Sequence, residues 1–332
     1  MGTLAFNRFA LTISAAAALL AACGGSQPPI AQTSSPQLQG GAASTPLPGG
    51  AVSHGASRQL PRYPKRSQGL LYVTDDYPSS VDIFPLTGPN QKQIGSIFDG
   101  VSFPWGLSID SNKSLYVANH GNGTGTVTVY PYGSTTPSIT YSPFGAALYA
   151  LADSAGHVFV SGWNEHHQGH VIEFNAGRNR VIAHQRLGSE TDGMAEDGQG
   201  NLYVAYRAGG KFRISSIAEF SGSGLTNMRL LGMSVDQPQG LLVDSAGNII
   251  VVESAADRIE VFPPGATTPS VTVTVSGIDN LAGLAMQNSE TTLWVSSEGG
   301  YVYSMPYPLT ASTVPTEYQE IVGPAYGIAV TP

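Results

Sequence analysis

The stretch "WNEHHQGH", residues 163–170, gathers side chains that could bind a metal: His166, His167 and His170 with Glu165. Imidazole and carboxylate are borderline ligands suited to zinc or a similar ion, and His120 could join them from a neighbouring loop. Adjacent residues on a strand point to opposite faces, so a hairpin would have to bend to aim His166 and His167 together. The competing role is a solvated polar loop. A second constellation is Trp105, Trp163 and Tyr326, whose rings could stack on a sugar or an aliphatic chain, with Asp192 and Gln239 as polar partners. "GNGTGT" at 121–126 has the composition of a phosphate loop, but strand-like segments flank it and no helix follows. No Ser/His/Asp or Cys/His arrangement is readable.

The elements that must position these groups are strands. Charged residues are only 11% of the 332, while Gly numbers 40 and Pro 23, a mixture suited to short strands and tight turns. The run "NIIVVE" at 248–253 returns as "LLYVTD" at 70, "SLYVAN" at 114, "HVFVSG" at 157, "NLYVAY" at 201 and "TLWVSS" at 292. Those six copies stand roughly 43 to 47 residues apart, the signature of a repeat architecture. The preceding element "QGLLVD" recurs as "WGLSID", "YALAD", "DGMAED", "AGLAMQ" and, at 326–330, "YGIAV". The following element "RIEVF" matches "SVDIF", "TVTVY", "HVIEF" and "SIAEF", and a fourth, "PSVTVTV", has a counterpart in "PSITYS".

Each repeat therefore reads as a four-stranded antiparallel meander. In "DSAGN", Asp244 can accept the amide two residues on and Gly247 supplies positive φ. A single such sheet cannot bury both faces, and stacking the units radially can. The first unit lacks its own leading strand, and "YGIAV" lacks a following one, so the two ends complete one blade. The predicted fold is all-β, a six-bladed β-propeller of four-stranded blades over residues 67–332. Chain direction then puts the loops leading into the innermost strands, and the loops joining second to third strands, on one face of the ring.

The N-terminal segment carries a different signal. Arg8 precedes an apolar run at 9–22 that is too short to span a bilayer but suits a signal-peptide core. "LAAC", residues 20–23, resembles the lipobox of bacterial lipoproteins, which implies a signal peptide over 1–22 and acylation of Cys23, the single Cys. Residues 23–66, rich in Pro, Gly, Ser and Gln, read as a flexible tether with an end-to-end distance on the order of 35 to 40 Å. The expected place is the cell envelope, on a membrane and facing the periplasm or exterior.

"PQGLLVDSAGNIIVVESAADRIEVF", residues 238–262, resembles the NHL repeat, with its Pro-x-Gly-hydrophobic start, Gly-Asn-hydrophobic turn and Arg-Ile-x-Val-Phe strand. The similarity extends over residues 67–332 and is weakest in the third unit, where Tyr149 takes the Gly place. "DGMAEDGQGNLYVA" at 192–205 is similar to a segment of the gluconolactonase family, in which the Asp before the Gly binds a divalent cation and acts in catalysis. That resemblance implies further oxygen ligands from equivalent loops, yet those places hold Trp105, Gln239, Ala282 and Tyr326. One carboxylate and one amide make a poor calcium cage. Asp192 is expected instead to be a turn residue at the entry to its strand, bonding local amides.

The resulting expectation is a lipid-anchored, non-enzymatic module binding a protein, glycan or small ligand, with no cofactor. A metal-dependent hydrolase or lyase of the gluconolactonase type is the alternative. The formal charge of −8 and the lack of a basic cluster beyond "RYPKR" at 62–66 exclude a phosphate-backbone surface and hence nucleic acid as partner.

Overall fold

The computed structural model describes residues 69–331, except 87–90, 122–123, 144, 222–223 and 276–279. The signal peptide, Cys23 and the tether expected from the sequence lie outside the described residues. Among the described residues no helix is long and apolar enough to cross a membrane.

Six antiparallel sheets of four strands account for the fold. The first blade holds β1 (Leu70–Asp75), β2 (Ser80–Pro85) and β3 (Gly95–Ile97). The second runs β4 (Pro104–Ile109), β5 (Leu115–Asn119), β6 (Thr126–Tyr130) and β7 (Ile139–Tyr141). The third is β8 (Ala146–Ala152), β9 (Val158–Trp163), β10 (Gly169–Phe174) and β11 (Val181–Arg186). Next come β12 (Glu190–Glu196), β13 (Leu202–Arg207), β14 (Ser216–Phe220) and β15 (Met228–Leu230). The fifth contains β16 (Pro238–Val243), β17 (Ile249–Glu253), β18 (Arg258–Phe262) and β19 (Val271–Thr274). The sixth has β20 (Leu281–Met286), β21 (Thr292–Ser297), β22 (Tyr301–Pro306) and β23 (Thr316–Glu320), after which β24 (Ile328–Val330) returns to the first sheet.

Ring closure takes the predicted form. β24 pairs antiparallel with β1 in the register Leu71↔Val330, Tyr72↔Ala329 and Val73↔Ile328. Thr331 extends the seam: its amide donates to the Leu70 carbonyl at 2.9 Å, and its Oγ1 accepts the Leu70 N–H at 2.8 Å.

Packing explains why the second strands read as unbroken apolar runs rather than alternating ones. Leu70 and Tyr72 pack with Leu107, Val117 and Tyr130 of the second blade. Leu71 and Val73 face the other way, against Trp294 and Val302 of the sixth. A strand covered on both faces has no polar face to show. Four further buried clusters fill the remaining gaps between consecutive blades, each side chain contributing roughly 1.5 to 3 kcal/mol.

The hairpin turns also form as the residue types require. Asp244 Oδ1 accepts the N–H groups of Ala246 at 3.0 Å and Asn248 at 2.7 Å, and Gly247 adopts φ 81°. Asp153 and Asp197 repeat the arrangement in the third and fourth blades.

The inner strands meet through glycine. A Cβ on Gly327 would stand 2.2 Å from the Trp105 carbonyl oxygen, on Gly106 2.4 Å from that of Leu148, and on Gly193 2.1 Å from that of Gln239. Gly240 and Gly283 abut the carbonyls of Ala282 and Tyr326 in the same way. Thus the residue ahead of each glycine is fixed by backbone contact with the previous blade, which sets its side chain at the channel mouth. The third blade departs from this rule as its sequence does: Tyr149 lines the channel where the other blades carry a glycine.

Candidate functional site

The residues expected to face the channel do converge. Trp105, Leu148, Asp192, Gln239, Ala282 and Tyr326, one from each blade, line a single constriction. It leaves an open volume of about 10 Å³, room for one water at most. The channel is therefore plugged at this level, and Tyr149 helps to plug it.

Above the plug the ring opens into a bowl of about 330 Å³, lined by Trp105, Trp163, Glu190, Arg207, Gln239 and Glu298 together with Gln237, Ser254 and Asn280. One wall is aromatic. Trp105 lies flat on Tyr326 with ring centroids 3.9 Å apart at 9°. His120 bridges Trp105 at 5.7 Å and Trp163 at 5.1 Å, and burial lowers its pKa although Asp76 pulls the other way. Burial likewise pushes the Tyr326 hydroxyl up to about 12.

The floor and opposite wall are polar. Glu190 and Arg207 are cross-strand partners on β12 and β13, with Arg207 Nη1 3.5 Å from Glu190 Oε2 and Nη2 3.9 Å from Asp192 Oδ2. Gln239 Nε2 donates to Glu298 Oε1 at 3.4 Å, and Asn280 Nδ2 donates to Glu298 Oε2 at 3.1 Å. Asp192 is 4% exposed; burial first, then the Glu190 charge, raises its pKa to about 8 against the pull of Arg207. Glu190 is raised by burial too.

Asp192 corrects one expectation. It stands inside β12 rather than in a turn, and its Oδ2 has no hydrogen-bond partner among the described residues. The carboxyl faces Arg207 instead of the local amides, because Asp192 lies in a bulge of β12, where the register shifts between Thr191 and Met194.

The histidine stretch divides. Trp163 ends β9 at the bowl, whereas Glu165 and His166 stand out in solvent, His166 69% exposed and 3.5 Å from Glu165. The hairpin is organised by Asn164, whose Oδ1 accepts the amides of His166 at 3.0 Å and Gln168 at 3.1 Å. His167 turns toward Trp163, ring centroids 6.5 Å apart. His170 is 1% exposed and packs edgewise on His184 at 5.5 Å, where burial lowers its pKa to about 4. Among the described residues no group of three or more His, Cys, Asp or Glu is arranged to hold a metal ion. The candidate set of His120, Glu165, His166, His167 and His170 is thus not brought together, for the alternation of β10 and the solvated hairpin send the rings apart.

A larger hollow of about 540 Å³ lies between the first-hairpin turns of blades four and five, on the other face. Its carboxylates Asp197 and Asp244 accept amides of their own turns, and its Arg229 pairs with Glu219.

The chain matches no protein-family model and no curated protein. Solved structures do resemble it. A Bacteroides caccae protein of unknown function superposes with TM-score 0.60 at 11% identity, covering 80% of this chain and 99% of that one. A chain of a nidogen/laminin complex gives 0.56 at 16%, covering 79% and 98%. A Lactobacillus plantarum protein gives 0.54 at 14%, covering 76% and 82%. At these identities the likeness is one of fold, and function has to be argued from the site.

Proposed function

We propose that this protein is a lipid-anchored cell-envelope propeller that acts as a binding module, not an enzyme, taking a protein, glycan or small ligand at the bowl on the Trp105 face. The observation that carries the reading is the bowl itself. It sets half-buried aromatic faces against a floor of desolvated acceptors, which is the make-up of a recognition site. Water activation asks for several ligands around one ion with an open coordination position. Support for the anchor comes from the sequence, in Arg8, the apolar run at 9–22 and "LAAC". The resemblance of residues 238–262 to the NHL repeat agrees with a reader of other molecules.

The test uses purified full-length chain and a library of sugars, peptides and small organic molecules screened by tryptophan fluorescence. At least one class is expected to bind, with affinity reduced ten-fold or more by Trp105→Ala and by Asp192→Ala. Metal analysis accompanies it: stoichiometric calcium or zinc, with lactone turnover lost in Asp192→Asn, would replace this reading with the metal-dependent hydrolase.

A further inference from the structure

The bowl and its floor carry more carboxyl groups and more acceptor atoms than their own donors satisfy. Glu190 and Glu298 of the bowl and Asp192 of the constriction below meet, among the described residues, a single guanidinium, Arg207, which is engaged with Glu190 and Asp192. Glu298 already receives the amide N–H groups of Gln239 and Asn280. Beside it, among the described residues, the Gln239 Oε1 accepts no hydrogen bond, and neither does Asp192 Oδ2, whose one cationic neighbour is Arg207 at 3.9 Å, although these residues are only 5% and 4% exposed. A buried acceptor without a donor is costly, so a group bringing N–H donors here is favoured. A positive charge on that group is favoured again by the Glu298 carboxyl.

The aromatic wall points the same way. Trp105, backed by Tyr326, and Trp163 line the bowl, and an indole ring attracts a cation within about 6 Å of its centroid. An anion would meet three carboxyl groups and a guanidinium already paired. A neutral ligand would stack but leave the acceptors unfilled. The volume of about 330 Å³ sits at the small end of ligand pockets.

Resting on the binding-module reading, we propose that the bowl recognises a small organic primary amine in its ammonium form, the –NH3+ donating toward Glu298 and Gln239 and the apolar stem lying against Trp105.

The experiment titrates the purified full-length protein with phenethylamine, with N-acetylphenethylamine as a neutral counterpart, and with phenylacetate as an anionic one, following the fluorescence of Trp105 and Trp163. Saturable binding of the amine is expected, at least ten-fold tighter than either counterpart. Glu298→Gln, with Glu190→Gln as a second variant should the first misfold, is expected to weaken the amine about ten-fold, the size of one charge-assisted hydrogen bond, and to leave N-acetylphenethylamine unchanged. The proposal is overturned if no probe binds, if the three bind alike, or if the folded variants hold the amine as tightly as the parent. Equal binding of all three, abolished by Trp105→Ala, would remove the ammonium assignment while the bowl kept its role. Failure of these probes and of the broader library together would remove both.

Discussion

Replacing Asp192 with Asn perturbs the floor of the bowl at its most desolvated charge. Burial and the adjacent Glu190 move this carboxyl from 3.8 up to about 8, with Arg207 opposing. A carboxylic acid whose pKa rises on folding binds its proton more tightly in the native state. Its contribution is therefore fully present below the unfolded value, near pH 4, and is lost as pH rises through about 8. At roughly 1.4 kcal/mol per pH unit the whole span amounts to at most about 6 kcal/mol. Because the titration is shared with Glu190, ~2 to 3 kcal/mol is the working figure. Glu190, also raised, acts in the same direction, while Glu298 repels the ionised form from the β21–β22 turn. The assay is urea unfolding of the parent and Asp192→Asn at pH 5, 6, 7 and 8. The variant should already lead modestly at pH 5, which lies above the unfolded value, and should gain steadily until it leads by ~2 kcal/mol or more at pH 8. Parallel curves across this range would mean that Asp192 ionises as an exposed carboxylate does, and the account of a dry, acceptor-rich floor would fall with it.

Three further outcomes follow from the architecture. Gly193→Val places a side chain where a Cβ alone would stand 2.1 Å from the Gln239 carbonyl, and should cost about 3 kcal/mol or more, or yield insoluble protein; Gly198→Ala, with open space around it, serves as the control. Deleting residues 323–332 removes β24, bares the β1 edge and uncovers Leu71 and Val73, so calorimetry should show loss of cooperative unfolding or aggregation. Deleting residues 24–57 should leave the melting temperature nearly unchanged, and equal effects of the two deletions would refute the ring-closure argument. Cys23→Ser should move the protein from the membrane to the soluble or unprocessed fraction, since acyl chains supply roughly 0.8 kcal/mol per buried methylene; unchanged partitioning, with an unmodified mature N-terminus, would remove the anchor.

The sequence by itself determined the six-fold repeat, the order of strands and the closure by the last one. Inner and second strands are buried on both faces, so their apolar runs recur wherever the ring demands them, as in "LLYV" at 70–73 and "TLWV" at 292–295. Outer strands were less legible: β11 alternates between half-buried and exposed, because little packing constrains it, and the third strand β22 buries Val302 and Met305 without the Arg-Ile-x-Val-Phe pattern. The channel-facing places of Trp105, Asp192, Gln239 and Tyr326 also follow from register, each preceding an inner-strand glycine or, for Tyr326, the glycine before β24.

Only the tertiary structure decided which polar groups share the bowl. Glu190 and Arg207 are seventeen positions apart by their numbers yet face each other across β12 and β13, and Glu298 reaches Gln239 from the next blade. Register puts Arg207 and Glu298 among the polar residues joining second to third strands on that face, but nothing in residue type singles them out from their neighbours there. Conversely, "WNEHHQGH" looks like a ligand cluster in one dimension and is dispersed in three, with His166 in solvent and His170 buried against His184. Periodicity records burial, which each residue expresses through its own strand. A site depends on the distances between side chains of different blades, and those are fixed only when the glycine contacts close the ring.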